Sequence, residues 1–266
     1  MDDRRELDEQ VVPGTSMDVL NPSLWGRFRT VISPRDDREF LSKLKLIAVD
    51  DEGAVRATVG GVLMASDDPR AFLSSAFIQA VRYRWKDRSA AHQIDALDIA
   101  GPLDIQIREA CKFVERNMRV YAVKAPNRIE TPQYSMNAVF EAVTNAVAHR
   151  DYSIFGAKIR LHVFSDRLEL YSPGTIPNTM TVDSLSERQS SRNELISSLL
   201  ARCPMNYNAV GSRREFIMDR RGEGVPIIIT ESEELSGRRP EYRLLDDAEL
   251  KLTIFAAPSP HPEEDG

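Results

Sequence analysis

A helix predicted over residues 135–149 carries three polar side chains whose types and spacing could do chemistry. Glu141, Asn145 and His149 recur every fourth residue and therefore follow one side of the helix. The apolar residues point the other way: Met136, Phe140, Val143 and Val147. A carboxylate and a carboxamide one turn apart offer hard oxygen ligands to Mg²⁺, and the carboxylate can accept a proton from water attacking a phosphate. The simpler interpretation is a solvated helix face.

Glycine-bearing turns later in the chain are the second chemical signal. Ser172-Pro173-Gly174 forms a turn with a conformationally permissive glycine. Gly222 and Gly224 flank a single residue before a predicted helix start, where exposed backbone N–H groups can bind a phosphate.

The elements that must position these residues can be predicted from the periodicity of the sequence. Alternation over 158–164 and again at 168–170, around the turn at Ser165-Asp166-Arg167, predicts a β-hairpin in which His162 is exposed. The run Ile227-Ile228-Ile229 has strand propensity, but Pro226 before it and Gly237 after it favour a helix. Ser135 is predicted to cap the first helix, and Asn193 to cap another.

The first half of the chain gives a comparable pattern. Thr58 is predicted to cap a short helix over 59–65, residues 77–85 alternate as a strand, and residues 103–118 have helical spacing. Cys111 lies on the apolar stripe of that last helix and is interpreted as a buried hydrophobic residue. Helices and antiparallel strands in blocks predict an α+β fold. Residues 1–20 and 258–266 lack periodicity and are predicted to be disordered.

Composition limits the function classes. The 266 residues carry a net charge of −6, which argues against strong sequence-independent binding to nucleic acid. No stretch is apolar enough to span a bilayer or to serve as a signal peptide, and only two cysteines occur, Cys111 and Cys203. We therefore expect a cytoplasmic protein without membrane partners and without a zinc site.

The order of the motifs resembles a known family. Glu141 to Ser153, with its trailing His-Arg-Asp-Tyr, is followed by Phe164 to Gly174, then Ser191-Arg192-Asn193, and then Gly222-x-Gly224. This order is similar to the divergent GHKL-type ATPase module of bacterial RecG C-terminal-like ATP-binding proteins, which are also described as predicted transcriptional regulators. Such proteins usually carry a Schlafen-like AlbA domain in front.

The resemblance implies a fold and a domain division. It implies a GHKL-like α/β sandwich over 123–257, with a mixed, mostly antiparallel sheet and helices on one face. It also implies a smaller α/β linking region over 21–122, the remnant beside a largely missing AlbA domain. Because no Gly-x-x-x-x-Gly-Lys-Ser/Thr loop occurs in the chain, we do not expect a helicase motor.

The resemblance also implies roles for the helix and the first glycine turn. Glu141 takes the place of the general base and Asn145 that of the magnesium ligand. Gly174 shapes the adenine pocket, and Ser172 lies near the place where an acidic residue usually reads the adenine amino group.

The remaining candidates would contact the phosphates or the ends of the helices. Gly222 and Gly224 take the place of the second glycine motif, and Arg192 and Asn193 precede a helix that could bind phosphate by charge and amide donors. Two further cofactor-binding candidates, which could equally brace the helix end, are His149 and Arg150.

Three functions remain open at this stage. The first is binding of ATP with magnesium, with or without slow hydrolysis. The second is a transcriptional or defence-related regulator that contacts DNA through a partner or through Arg213-Arg214 and Arg220-Arg221. The third is a non-catalytic module that serves as an oligomerisation platform, for example as a homodimer.

Overall fold

The computed structural model describes residues 6–125, 127–175, 192–205, 215–218 and 223–259. The α-helices in this part are α1 Pro22–Trp25, α2 Asp37–Lys43, α3 Val59–Ala65, α4 Leu103–Asn117, α5 Met136–Ala148, α6 Glu194–Leu200 and α7 Gly224–Ser236. The strands are β1 Ile47–Val49, β2 Val55–Ala57, β3 Ile78–Tyr83, β4 Gln93–Ile99, β5 Val120–Ala125, β6 Asn127–Pro132, β7 Ile159–Val163, β8 Arg167–Pro173, β9 Glu241–Leu245 and β10 Glu249–Phe255.

Six of these strands form the central sheet, in the order β4-β3-β7-β8-β10-β9. Strands β3 and β7 are parallel, and every other neighbouring pair is antiparallel. The predicted α+β fold with a mixed, mostly antiparallel sheet is therefore confirmed. Two small antiparallel sheets, β1-β2 and β5-β6, lie beside it.

The two faces of the central sheet differ because successive side chains of a strand point to opposite sides. On β7, Ile159, Leu161 and Val163 join the main hydrophobic core, and Leu168 and Leu170 of β8 do the same. Helices α4, α5 and α7 pack on this face. We call the opposite face, which carries His162, Glu169 and Tyr171, the outer sheet face.

The central sheet draws strands from both predicted segments. Strands β3 and β4 belong to 21–122, whereas β7 to β10 belong to 123–257. The β5-β6 hairpin crosses the boundary between the two segments. The parallel pairing of β3 with β7 places the linking region within the same sheet, so the division at residue 122 stays a prediction and does not correspond to a break in this sheet.

The expectation that residues 1–20 are disordered is wrong for residues 6–20. Asp8 and Val12 are buried, and residues Leu7–Glu9 form a short 3₁₀ helix. Backbone bonds join Val12 N–H to Ala57 O (2.8 Å) and Val59 N–H to Gln10 O (2.8 Å). This segment is held by backbone pairing, which leaves no side-chain periodicity to detect. The predicted tail over 258–266 lies mostly outside the described residues.

The predicted helix ends are mostly confirmed. Thr58 Oγ1 accepts the Gly61 N–H (2.9 Å), and Ser135 Oγ accepts the Ala138 N–H (3.2 Å). Helix α7 ends at Gly237, which adopts a left-handed conformation with φ of 70°. The helical interpretation of residues 227–229 is therefore confirmed. Within the described residues, no helix combines the length and hydrophobicity that a bilayer span requires.

The prediction that His162 is exposed is wrong. Its side chain is buried on the outer sheet face, with its ring 5.6 Å from that of Tyr83 and 5.5 Å from that of Tyr171. These aromatic neighbours come from the adjacent strands β3 and β8, and only the pairing of the strands brings them together.

Candidate functional site

Helix α5 presents its polar stripe to another helix. Glu141 is only 3% exposed, and Asn145 is half-buried. The element above them is α7, whose middle is bound to the start of α5: Asn137 Nδ2 donates to Glu231 Oε1 (2.6 Å), and Ser135 Oγ donates to Glu231 Oε2. The solvated-face interpretation of Glu141 therefore does not hold.

The first residue of α7 rests directly on the two predicted catalytic and metal-binding side chains. A Cβ atom placed on Gly224 would lie 2.8 Å from Glu141 Oε2 and 3.1 Å from Asn145 Nδ2, so a side chain at this position would displace the ends of these two side chains. The N-terminal end of a helix carries unsatisfied N–H groups and a partial positive charge. Glycine at this position therefore brings an anion-attracting backbone against a carboxylate and a carboxamide.

The end of strand β8 forms the next wall of the site. Ser172 Oγ donates to the carbonyl of Ala146 in α5 (2.9 Å), so the strand end is fixed against that helix. Gly174 follows with φ of +121°, a conformation that favours glycine. Ser172 and Gly174 thus lie beside the Asn145 turn of α5.

Arg192 joins three chain segments at this wall. Its Nη1 donates to Asp151 Oδ2 (2.6 Å), and its Nη2 donates to the carbonyl oxygen of Thr175 (2.7 Å). A Cβ atom on Gly174 would lie 2.7 Å from Arg192 Nη1, so the turn needs glycine to admit the guanidinium. Arg192 is therefore at the site, with both terminal nitrogens bound to protein groups.

The prediction that Asn193 caps α6 is wrong. Its side-chain nitrogen donates instead to the carbonyls of Ala148 and Arg150 (2.9 Å each), which satisfies the end of α5. The first amides of α6 are capped from the other end of the chain by Glu6 and Asp8. We call residues 6–10 the N-terminal strap. Since the strap holds these amides, they are not open donors for a phosphate.

His149 and Arg150 follow α5 and have different surroundings. Burial, and then the charge of Arg192, lowers the pKa of His149 to about 4, so its imidazole is neutral at pH 7 and cannot attract a phosphate by charge. Arg150 is buried away from the glycine turns, where it donates to Ser75 O (2.9 Å) and Ala157 O (2.8 Å). This geometry favours the bracing role for Arg150 over contact with a cofactor.

The structure thus brings together most of the predicted site residues on one side of α5: Glu141, Asn145, His149, Ser172, Gly174, Arg192, Asn193 and Gly224. Gly222 lies outside the described residues, as do both arginine pairs of the DNA-binding alternative, Arg213-Arg214 and Arg220-Arg221.

Sequence reasoning gave no role to Asp151 or Glu231, although both organise the site. Asp151 accepts the Ser153 N–H (2.9 Å) in a local turn and also binds Arg192. The Asp-x-Ser spacing was a detectable turn signal. Glu231 had no signal of its own, because it acts only through the pairing of α7 with α5.

Comparison with known family models finds a match to part of the chain. Residues 156–254 match the family described as "Putative ATP-dependent DNA helicase recG C-terminal". The match covers β7 to β9, most of β10, α6 and α7, and it begins after α5. The roles predicted for Glu141 and Asn145 therefore lie outside this match, and the observation that bears on them is the contact between α5 and α7.

One solved structure shows the same fold. The DIP2311 protein from Corynebacterium diphtheriae superposes with a TM-score of 0.68 at 17% sequence identity, covering 98% of this chain and 52% of that one. This chain thus spans about half the length of that relative. A comparison with curated proteins found no match.

Proposed function

We propose that this protein binds ATP with magnesium between α5 and the turns that carry Gly174 and Gly224, and that it hydrolyses the nucleotide slowly. The observation that carries the proposal is the contact of Gly224 with Glu141 and Asn145. Glycine at this position lets the backbone at the start of α7 come close to both side chains without displacing them. The match of residues 156–254 to a RecG C-terminal-like family supports a nucleotide as the ligand.

The start of α7 is the expected phosphate site. Helix α7, Gly224–Ser236, is 13 residues long, and the positive end of its dipole lies at this point. In this structure the anion next to Gly224 is the Glu141 carboxylate, which marks where negative charge is favoured.

Glu141 and Asn145 fit a magnesium ion because they offer hard oxygen donors one helical turn apart, beside a backbone cradle that a Cβ would fill. Mg²⁺ would neutralise phosphate charge when bound. Asn145 Oδ1 would be its ligand from the protein, and a Glu141 carboxylate oxygen would accept the proton of the attacking water.

The test is titration calorimetry of the full chain with Mg-ATP, comparing the wild type with Asn145→Ala and Gly224→Ala. We expect wild-type binding, and a loss of about tenfold or more in affinity for each variant, because one removes the metal ligand and the other fills the cradle. Gly156→Ala is the matched control, since a Cβ there meets nothing within 4 Å. Absence of any wild-type binding at millimolar Mg-ATP would refute the proposal.

A further inference from the structure

The N-terminal strap makes a close three-way contact with α3 and α6. Val59 N–H donates to Gln10 O, which ties the strap to the start of α3. A Cβ atom on Gly60 would lie 2.7 Å from Leu195 Cδ2 and 3.0 Å from Asp8 O. The strap, α3 and α6 therefore meet without room for another methyl group.

Two carboxylates of the strap bind the first turn of α6. Asp8 Oδ2 accepts the Ile196 N–H (3.1 Å), and Glu6 Oε2 accepts the Glu194 N–H (3.2 Å). These are the amides that a helix start leaves without partners inside the helix. A segment 188 residues away in the chain thus supplies the cap that Asn193 does not.

Helix α6 connects the strap to the candidate site. It begins immediately after Arg192 and Asn193, which bind Asp151, Thr175 and the end of α5. A displacement of the first turn of α6 would move both residues, because no flexible linker separates them from the helix.

The charges around Asp8 are mostly of its own sign. Glu6 and Glu9 lie on the strap and Glu194 on α6, while the facing helix α3, Val59–Ala65, has no charged residue. Lys45 lies nearby, where it binds Glu9 and also interacts electrostatically with Asp8 and Glu6. Asp8 has no exposed surface, and its Oδ1 has no hydrogen-bond partner.

We propose that the N-terminal strap is a regulatory element that holds α6, and through it Arg192 and Asn193, more firmly in mildly acidic solution than at neutral pH. The mechanical part of this inference depends only on the contacts of the strap. Its effect on ATP depends on the proposed function.

The direction of the pH dependence follows from the preference of Asp8 for its neutral form. Burial, partly opposed by the bond from Ile196 N–H and reinforced by Glu6 and Glu9, raises the pKa of Asp8 to about 6. The fastened strap therefore binds a proton more tightly than the released strap, whose carboxyl has an ordinary pKa near 3.8. Linkage then favours the fastened state as the pH falls from about 7 towards 4.

Hydrogen exchange of the full chain at pH 5 and pH 7.5 tests this inference. After correction for intrinsic rates, we expect peptides that cover α6 to be protected about tenfold more at pH 5 in the wild type. Asp8→Asn keeps the amide acceptor without a charge and should abolish the pH difference. Asp18→Asn, an exposed aspartate outside the strap, is the matched control and should behave as the wild type.

Two outcomes would overturn the inference: a pH difference that persists in Asp8→Asn, or α6 protection that is unchanged in Asp8→Ala. Mg-ATP affinity measured at both pH values adds the regulatory readout, in which Asp8→Asn should remove any change of affinity that accompanies the change in α6 protection. If the wild type binds no ATP, the proposed function fails, whereas the exchange result still decides whether the strap holds α6.

Discussion

Asp8 of the N-terminal strap and Glu169 of the outer sheet face are two buried carboxyl groups whose surroundings shift the pKa in opposite directions. Asp8 lies among other acids, and its pKa is raised to about 6, chiefly by burial. On the outer sheet face, burial also acts to raise the pKa of Glu169. Hydrogen bonds from Lys251, Tyr171 and Arg167 outweigh it there and lower the pKa to about 2.

This difference separates Glu169, whose carboxylate stabilises the fold, from Glu141 and Asp8, whose carboxyl groups can bind a ligand or a proton. Glu169 is held by two cations and a phenol, with Lys251 Nζ at 2.7 Å and Tyr171 Oη at 2.7 Å. Glu141 and Asp8 instead lie against helix starts, where backbone amides and dipoles provide the favourable field. A carboxyl group at a helix start can exchange a backbone partner for a ligand or a proton without dismantling a side-chain network such as that of Glu169.

The largest expected effect is on catalysis. Glu141→Gln should retain Mg-ATP binding but lose ATP turnover by about 100-fold or more, because the amide cannot accept the water proton. Phosphate release under single-turnover conditions measures this. Glu234→Gln, on the solvent side of α7, is the control, and equal loss in both variants would remove Glu141 from the chemistry.

The next largest effect concerns the outer sheet face. Glu169→Gln should lower the free energy of unfolding by about 1–3 kcal/mol at pH 7, since it removes the buried carboxylate that the half-buried Arg167 and Lys251 share. Because the pKa of Glu169 is lowered from 4.5 to about 2, this contribution is present above pH 4.5 and is lost as the pH falls towards 2. Urea unfolding across this range measures it, and a loss that does not depend on pH would contradict the ion-pair account.

A smaller effect of opposite sign is expected at the strap. Because the pKa of Asp8 is raised from 3.8 to about 6, its contribution to stability is greatest below pH 4 and is lost as the pH rises through 6. Asp8→Asn should therefore be more stable than the wild type at pH 7.5, by roughly 1 kcal/mol, and should lose that advantage near pH 4. Thermal unfolding at the two pH values measures this, and a variant that is less stable at pH 7.5 would show that the charge itself is needed.

The smallest effect is expected at His162. Burial, followed by the charge of Arg88 and other cations, lowers its pKa from 6.5 to about 4. Its contribution to stability is therefore present above pH 6.5 and is lost as the pH falls through 4. His162→Phe should remove part of this acid sensitivity while changing stability at pH 7 by less than about 1 kcal/mol. The test compares the free energy of unfolding of the wild type and of His162→Phe at pH 7 and pH 4.5. His149 titrates equally in both proteins, so its contribution cancels in the difference.

Much of the architecture was predictable because it depends on local patterns. The cap at Thr58, the cap at Ser135 and the stop at Gly237 were read from single residues beside an apolar stripe, and all three are confirmed. Most residues predicted for the candidate site lie together around α5, and their functional roles stay predictions. Gly222 lies outside the described residues, and the exception among the described ones is Arg150. That residue follows the helix in sequence but is drawn to the carbonyls of Ser75 and Ala157.

The sequence by itself determined the α+β class and the stripe of Glu141, Asn145 and His149, because helical and strand periods are properties of a few consecutive residues. Only the tertiary structure decided what lies above that stripe, since the pairing of α7 with α5 joins residues about 80 to 100 positions apart. The same holds for Asp8, which no local pattern marks. Its proton affinity is set by burial and by the charges and amides of segments that meet only in the folded chain.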